Sequence, residues 1–123
     1  MTDRRLADGD CFEVAGRIAA NGLRTDEHRT LTNFTVCHAL VMHPEGFRHW
    51  HAWIEVTETV NFPQIGPVPM VIAIDKSNGN DTALPVALTY KIAQVEHDDV
   101  RRYTADEACA LMLRTGHFGP WEE

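Results

Sequence analysis

Three side chains in this sequence have the types and settings that nucleophilic chemistry needs: Cys11, His51 and Asp75. Cys11 follows Gly9-Asp10 and opens an apolar run that closes at Asn21-Gly22. The run reads as a short, largely buried helix from Cys11 to Ala20, with Asp8 or Asp10 as N-cap and Gly22 as a left-handed stop. A thiol at a helix N-terminus meets the positive end of the backbone dipole, which favours the nucleophilic thiolate. The competing reading is one more buried apolar residue, the ordinary fate of a free cysteine. Cys37, inside a strand pattern, and Cys109, inside a helix pattern, fit that second reading better.

A thiolate needs a base that takes and returns its proton. Of seven histidines, four lie close together: His38, His43, His49 and His51. Period-two alternation from Arg48 to Thr57 puts His49, His51, Trp53 and Glu55 on one strand face, with His51 near the strand start. Two other readings stand beside the base. The histidines can be the solvated face of a hairpin. Alternatively, His49 and His51, with His38 or Cys37 as a third ligand, can hold zinc. No Cys or carboxylate spacing completes that ligand set, so neither a metal nor any other cofactor is expected.

A third group should orient the imidazole. Asp75 ends the apolar run Met70 to Ile74, where an acid is costly unless it is paired or sits at the strand end. If the two strands form an antiparallel hairpin with His51 opposite Asp75, Trp53 faces Ala73 and Glu55 faces Val71.

This order of motifs resembles the transglutaminase-like branch of the papain-like cysteine peptidase superfamily. The resemblance runs from about Gly9 to Gly79 and rests on Gly9-Asp10-Cys11, on His51-Ala52-Trp53-Ile54-Glu55, and on Asp75 in order and setting. The chain is also similar to short bacterial and phage proteins that add a Ser-Asn-Gly turn, here Ser77-Asn78-Gly79, and a tail of the form Thr115-Gly116-His117-Phe118-Gly119-Pro120-Trp121. The resemblance implies a nucleophile helix packed on an antiparallel sheet, a Cys11-His51-Asp75 triad and a thioester intermediate. Only ten residues precede Cys11, so the backbone N–H of Cys11 is the one oxyanion donor it names here.

The elements that must position these residues are read as follows. Asn33 to His43 and Arg48 to Thr57 are strands around the turn Pro44-Glu45-Gly46, and Met70 to Asp75 is a third strand. Phe62 to Pro69 is a proline-rich crossover, and Ser77-Asn78-Gly79-Asn80 is a turn. Pro85 to Val95 leans to helix, with Pro85 in its first turn. Val100 to Tyr103 is a short edge strand. Thr104 and Glu107 make a capping box for a last helix that Gly116 stops. The fold class is α+β: the Cys11 helix on a small antiparallel sheet, with a C-terminal helix. Trp50 and Trp53 read as core or cleft wall.

Length allows one domain over residues 1–123 with one core. Eleven basic against eighteen acidic residues give a net charge of −7, which argues against nucleic acid and against an anionic membrane as partner. No apolar stretch reaches a bilayer span and no signal-peptide core follows Arg4-Arg5, so a cytoplasmic protein is expected. Three widely spaced cysteines fit a reducing compartment. The expected activity is a cysteine hydrolase (peptidase, amidase or deamidase) acting on a protein or peptide. A zinc-binding protein and a catalytically silent binding module are the other classes. Nothing in the pattern specifies an oligomeric state.

Overall fold

The computed structural model describes residues 10–24, 30–31, 33–77, 79 and 81–121. The expected positions Asp8, Gly9, Asn78 and Asn80 lie outside them. Helix α1 spans Cys11–Asn21 and buries Cys11, Phe12, Ala15, Gly16 and Ala19, a stripe at three- and four-residue spacing. Asp10 is the N-cap, but its side chain makes no cap bond; its carbonyl accepts the Val14 N–H at 2.8 Å. Gly22 ends the helix at φ 87° and ψ 160°. That is positive-φ backbone, as expected of a glycine stop, but outside the left-handed helical well.

Two-residue strands β1 (Leu23–Arg24) and β2 (Thr30–Leu31) pair with each other. The main sheet is antiparallel and five-stranded. Its members are β3 (Thr35–Met42), β4 (Arg48–Phe62), β5 (Gly66–Asp75), β6 (Thr82–Pro85) and β7 (Arg101–Thr104), in the order β6-β5-β4-β3-β7. Helix α2 (Val86–Ala93) begins directly after Pro85, and the left-handed Gln94 ends it. A 3₁₀ turn at His97–Asp99 leads into β7, and α3 spans Ala105–Thr115. The expected capping box is present: the Glu107 N–H donates to Thr104 Oγ1 at 3.1 Å and the Thr104 N–H to Glu107 Oε1 at 2.8 Å.

The fold is therefore α+β, with α1 on the antiparallel sheet and a C-terminal helix. Alternation decides which helix each side chain meets. Val36, Trp50, Ala52, Ile54, Val56 and Tyr103 pack under α1 and α3. Cys37, Ala39, Val41, Trp53 and Ala73 pack on the other face, against Val86, Tyr90 and Ala93 of α2. Helix α1 lies close to α3 and the segment after it: a Cβ built on Gly16 would stand 2.9 Å from the sulfur of Met112 in α3 and 2.5 Å from the ring of Phe118 beyond it.

Two sequence expectations are corrected here. The proline-rich segment is not a crossover. Strand β4 runs on to Phe62 and β5 starts at Gly66, so both prolines at 67 and 69 lie in the ladder. They are tolerated because β6 pairs only with Ile72–Asp75, leaving this part of β5 an edge where a missing N–H can face outward. The second correction is β6 itself, a strand directly before α2 that the sequence pattern did not separate from the turn. Among the described residues, no helix is long and apolar enough to cross a membrane.

Candidate active site

Each of the three chemistry-bearing residues stands at an element terminus or just inside one. Cys11 is the first residue of α1, Asp75 the last of β5, and His51 lies in the first turn-proximal stretch of β4. The hairpin register differs from the one expected. Glu55 pairs with Ala73 and Thr57 with Val71, so Asp75 falls opposite Trp53 rather than His51. The cause is the tight connection between Phe62 and Gly66, which pair with each other and set every rung below them. A displacement of two residues keeps the face, because the side-chain period of a strand is two. Asp75 therefore lies diagonal to His51 and still on its side.

The diagonal is bridged. His51 Nε2 and Asp75 Oδ2 are 2.8 Å apart, with the two side chains 22% and 23% exposed. The other carboxylate oxygen is also occupied: Asp75 Oδ1 accepts the Ser77 N–H at 2.9 Å and the Ser77 hydroxyl at 2.5 Å. Burial alone would raise the Asp75 pKa, but the bonds from His51 and Ser77 outweigh it and hold the carboxyl below its ordinary range. Ser77 is 1% exposed. The sequence reading used it only as turn chemistry. The signal was there in Asp-x-Ser, the spacing at which a carboxylate accepts an N–H two residues on.

Cys11 lies close enough to His51 to raise its pKa alongside Asp75. Burial disfavours the imidazolium, yet the bonds to Asp75 and Cys11 and their charges overcome that cost and push the His51 pKa up to about 9. With Nε2 turned to Asp75, Nδ1 is the ring nitrogen left for the thiol. His49, the alternative base, does not take the carboxylate; its ring lies 6.0 Å from that of His51, in a row with His43.

The Trp53 ring lies at 6.0 Å from the His51 ring and is inclined to it by 23°. Its Nε1–H donates to Glu55 Oε2 at 3.0 Å, and the Tyr90 hydroxyl donates to the same oxygen at 2.6 Å. Arg102 completes the group, donating to the Tyr90 oxygen at 2.5 Å. Burial, then Glu55, pushes the Tyr90 pKa up. The Glu of His-Ala-Trp-x-Glu thus holds the Trp, a role that motif spacing alone did not assign.

The other candidate ligands face elsewhere. His38 sits on the α1 face between Phe12, Tyr103 and Trp121. Neither of its ring nitrogens has a hydrogen-bond partner among the described residues. Burial, helped by His51, lowers its pKa to about 4. Cys37 points to the α2 face, and burial followed by Glu55 pushes its thiol up. Among the described residues, no group of three or more His, Cys, Asp and Glu side chains is placed to hold a metal ion.

Two spaces share Trp53 and Asp75 in their linings. A crevice of about 10 Å³ touches Cys11, Trp53, Asp75 and Ser77, room for about one water molecule. A groove of about 250 Å³ on the α2 side is lined by His51, Trp53, Asp75, Ala73, Leu84 and Ile92, among others. Cys11 itself is 1% exposed. A carbonyl can meet its sulfur only if the walls of the small crevice part. Comparison of this chain with family models, curated proteins and solved structures returns no match.

Proposed function

We propose that this protein is a cysteine-dependent acyl-transfer enzyme, a hydrolase that forms a thioester on Cys11 and releases it to water. The observation that carries the reading is the His51–Asp75 bond, with Cys11 at the start of α1 close enough to His51 to raise its pKa. An imidazole bonded to Asp75 and close to Cys11 keeps its proton to about pH 9, which is the charge a thiolate needs beside it. The motif resemblance at Gly9-Asp10-Cys11 and His51-Ala52-Trp53-Ile54-Glu55 supports the same chemistry.

In the first half-reaction the Cys11 thiolate attacks the carbonyl carbon of a peptide or amide. The free N–H groups of the first turn of α1, with that of Cys11 foremost, face the developing oxyanion. The His51 imidazolium gives its proton to the leaving nitrogen as the C–N bond breaks. In the second, neutral His51 takes a proton from water as the water attacks the thioester; the C–S bond breaks, the carboxylic acid leaves, and the thiolate–imidazolium pair is restored. Asp75 keeps one ring orientation throughout and stabilises the imidazolium. Three free cysteines suit a reducing, cytoplasmic setting for this chemistry.

The test uses an activated acyl donor. The purified chain is mixed with 4-nitrophenyl acetate, and digested protein is mapped by mass. An acetyl group on Cys11, absent from Cys11→Ala, supports the reading. Nitrophenolate release that persists in Cys11→Ala contradicts it.

A further inference from the structure

Resting on that reading, the geometry points to an acyl-group pocket. The groove on the α2 side takes an uncharged, apolar group of the substrate, next to the carbonyl that Cys11 attacks. The groove measures about 250 Å³, on the scale of a medium side chain or short acyl chain, and it ends on His51 and Asp75. Its walls are Val41 and Ala73 from the sheet, Leu84 from β6, and Ile92 and Ala93 from α2. Trp53 and Asp75 line both this groove and the crevice at Cys11, so a bound group and a reacting carbonyl would lie on either side of one boundary.

A further observation points to an occupant. Ile92 is 63% exposed and Leu84 also stands out to solvent, so the groove has an apolar rim that nothing in the described chain covers. Burial selects against acids. A carboxylate among Val41, Ala73, Leu84 and Ile92 would lose its water, and His51 in the same lining is already paired with Asp75.

The experiment compares acetyl, hexanoyl and glutaryl 4-nitrophenyl esters on the full chain. Acyl-Cys11 formation is followed by mass, and each rate is divided by the rate of the same ester with a small free thiol. In each case the thiolate forms the C–S bond and nitrophenolate leaves as the C–O bond breaks. The corrected hexanoyl rate should exceed the acetyl rate by about tenfold or more, since each methylene buried in an apolar pocket adds to the preference. Glutaryl should fall to the acetyl level or below. Ile92→Asp should bring the hexanoyl-to-acetyl ratio toward one, with the melting temperature measured alongside. Ile65→Asp, at the 76%-exposed tip of the β4–β5 turn, should keep the ratio. If all three esters acylate Cys11 at equal corrected rates, or if Ile92→Asp leaves the preference whole, the pocket is wrong and the cysteine chemistry stands. If no ester acylates Cys11, the cysteine chemistry fails and the pocket falls with it.

Discussion

His51 and Asp75 meet at 2.8 Å across a diagonal of the β4–β5 hairpin, through Nε2 of the ring. The bond holds the ring by one nitrogen and leaves Nδ1 for another partner. Cys11, the first residue of α1, lies close enough to His51 to raise its pKa.

The charge on His51 is the first consequence to measure. Its pKa is lifted from 6.5 to about 9, against the opposing effect of burial, by Asp75 and Cys11. A group whose folded pKa is raised stabilises the fold fully below its unfolded pKa and loses that contribution as pH rises through the folded value. His51 should therefore contribute on the order of 3 kcal/mol below pH 6.5, fading by about pH 9. The urea-midpoint difference between wild type and His51→Gln should shrink over that window. The activity profile should show its basic limb near pH 9, and in Asp75→Asn the His51 NMR titration should move down.

Ser77 is expected to be a positioning residue. Ser77→Ala removes the hydroxyl donor to Asp75 Oδ1 and keeps the backbone one. Activity should fall by about tenfold, the scale of a lost supporting hydrogen bond. A lower His51 NMR midpoint should accompany the loss. A variant with reduced stability but an unmoved His51 titration would leave Ser77 as structure only.

The three thiols should separate on labelling. Near pH 7, iodoacetamide should modify Cys11 ahead of Cys37, whose thiol burial pushes up. Because the crevice at Cys11 holds about 10 Å³, a bulky maleimide should lose far more rate at Cys11 than at half-buried Cys109. Peptide mapping reads both ratios. Labelling of Cys37 first would remove Cys11 as the nucleophile.

Glu55 should matter to stability first. Glu55→Ala leaves the Trp53 Nε1–H and the Tyr90 hydroxyl without their acceptor inside the α2 face. The cost should be about 2–4 kcal/mol in urea unfolding. Glu55→Gln, which keeps an acceptor oxygen, should recover much of it.

Much of this arrangement was legible in the residues. The helix start at Cys11 and the capping box at Thr104 and Glu107 follow from local pattern, and the shared face of His51 and Asp75 survives from an assumed register because the observed one differs by two residues. What escaped depended on distant partners. The prolines at 67 and 69 argued for a loop, and only the absence of β6 beside them makes an edge strand acceptable. The register followed from the Phe62–Gly66 closure, which that loop reading had hidden. Thr82–Pro85 is too short to show a period of its own and is a strand because Ile72–Asp75 lies beside it. Ser77 was read as a turn former, and its buried hydroxyl bond to Asp75 is the same turn seen from the side chain.

The central claim is that His51, and not its neighbour on the same strand face, serves the Cys11 thiolate. The most direct measurement is the rate of Cys11 acylation in His51→Ala and His49→Ala, at equal folded fraction. Loss of a base that acts with its nucleophile as a unit costs about a thousandfold or more. His51→Ala should show that loss, and His49→Ala should stay within about tenfold of wild type, because the carboxylate bond belongs to His51. Equal rates in the two variants, or a larger loss from His49→Ala, would contradict the account.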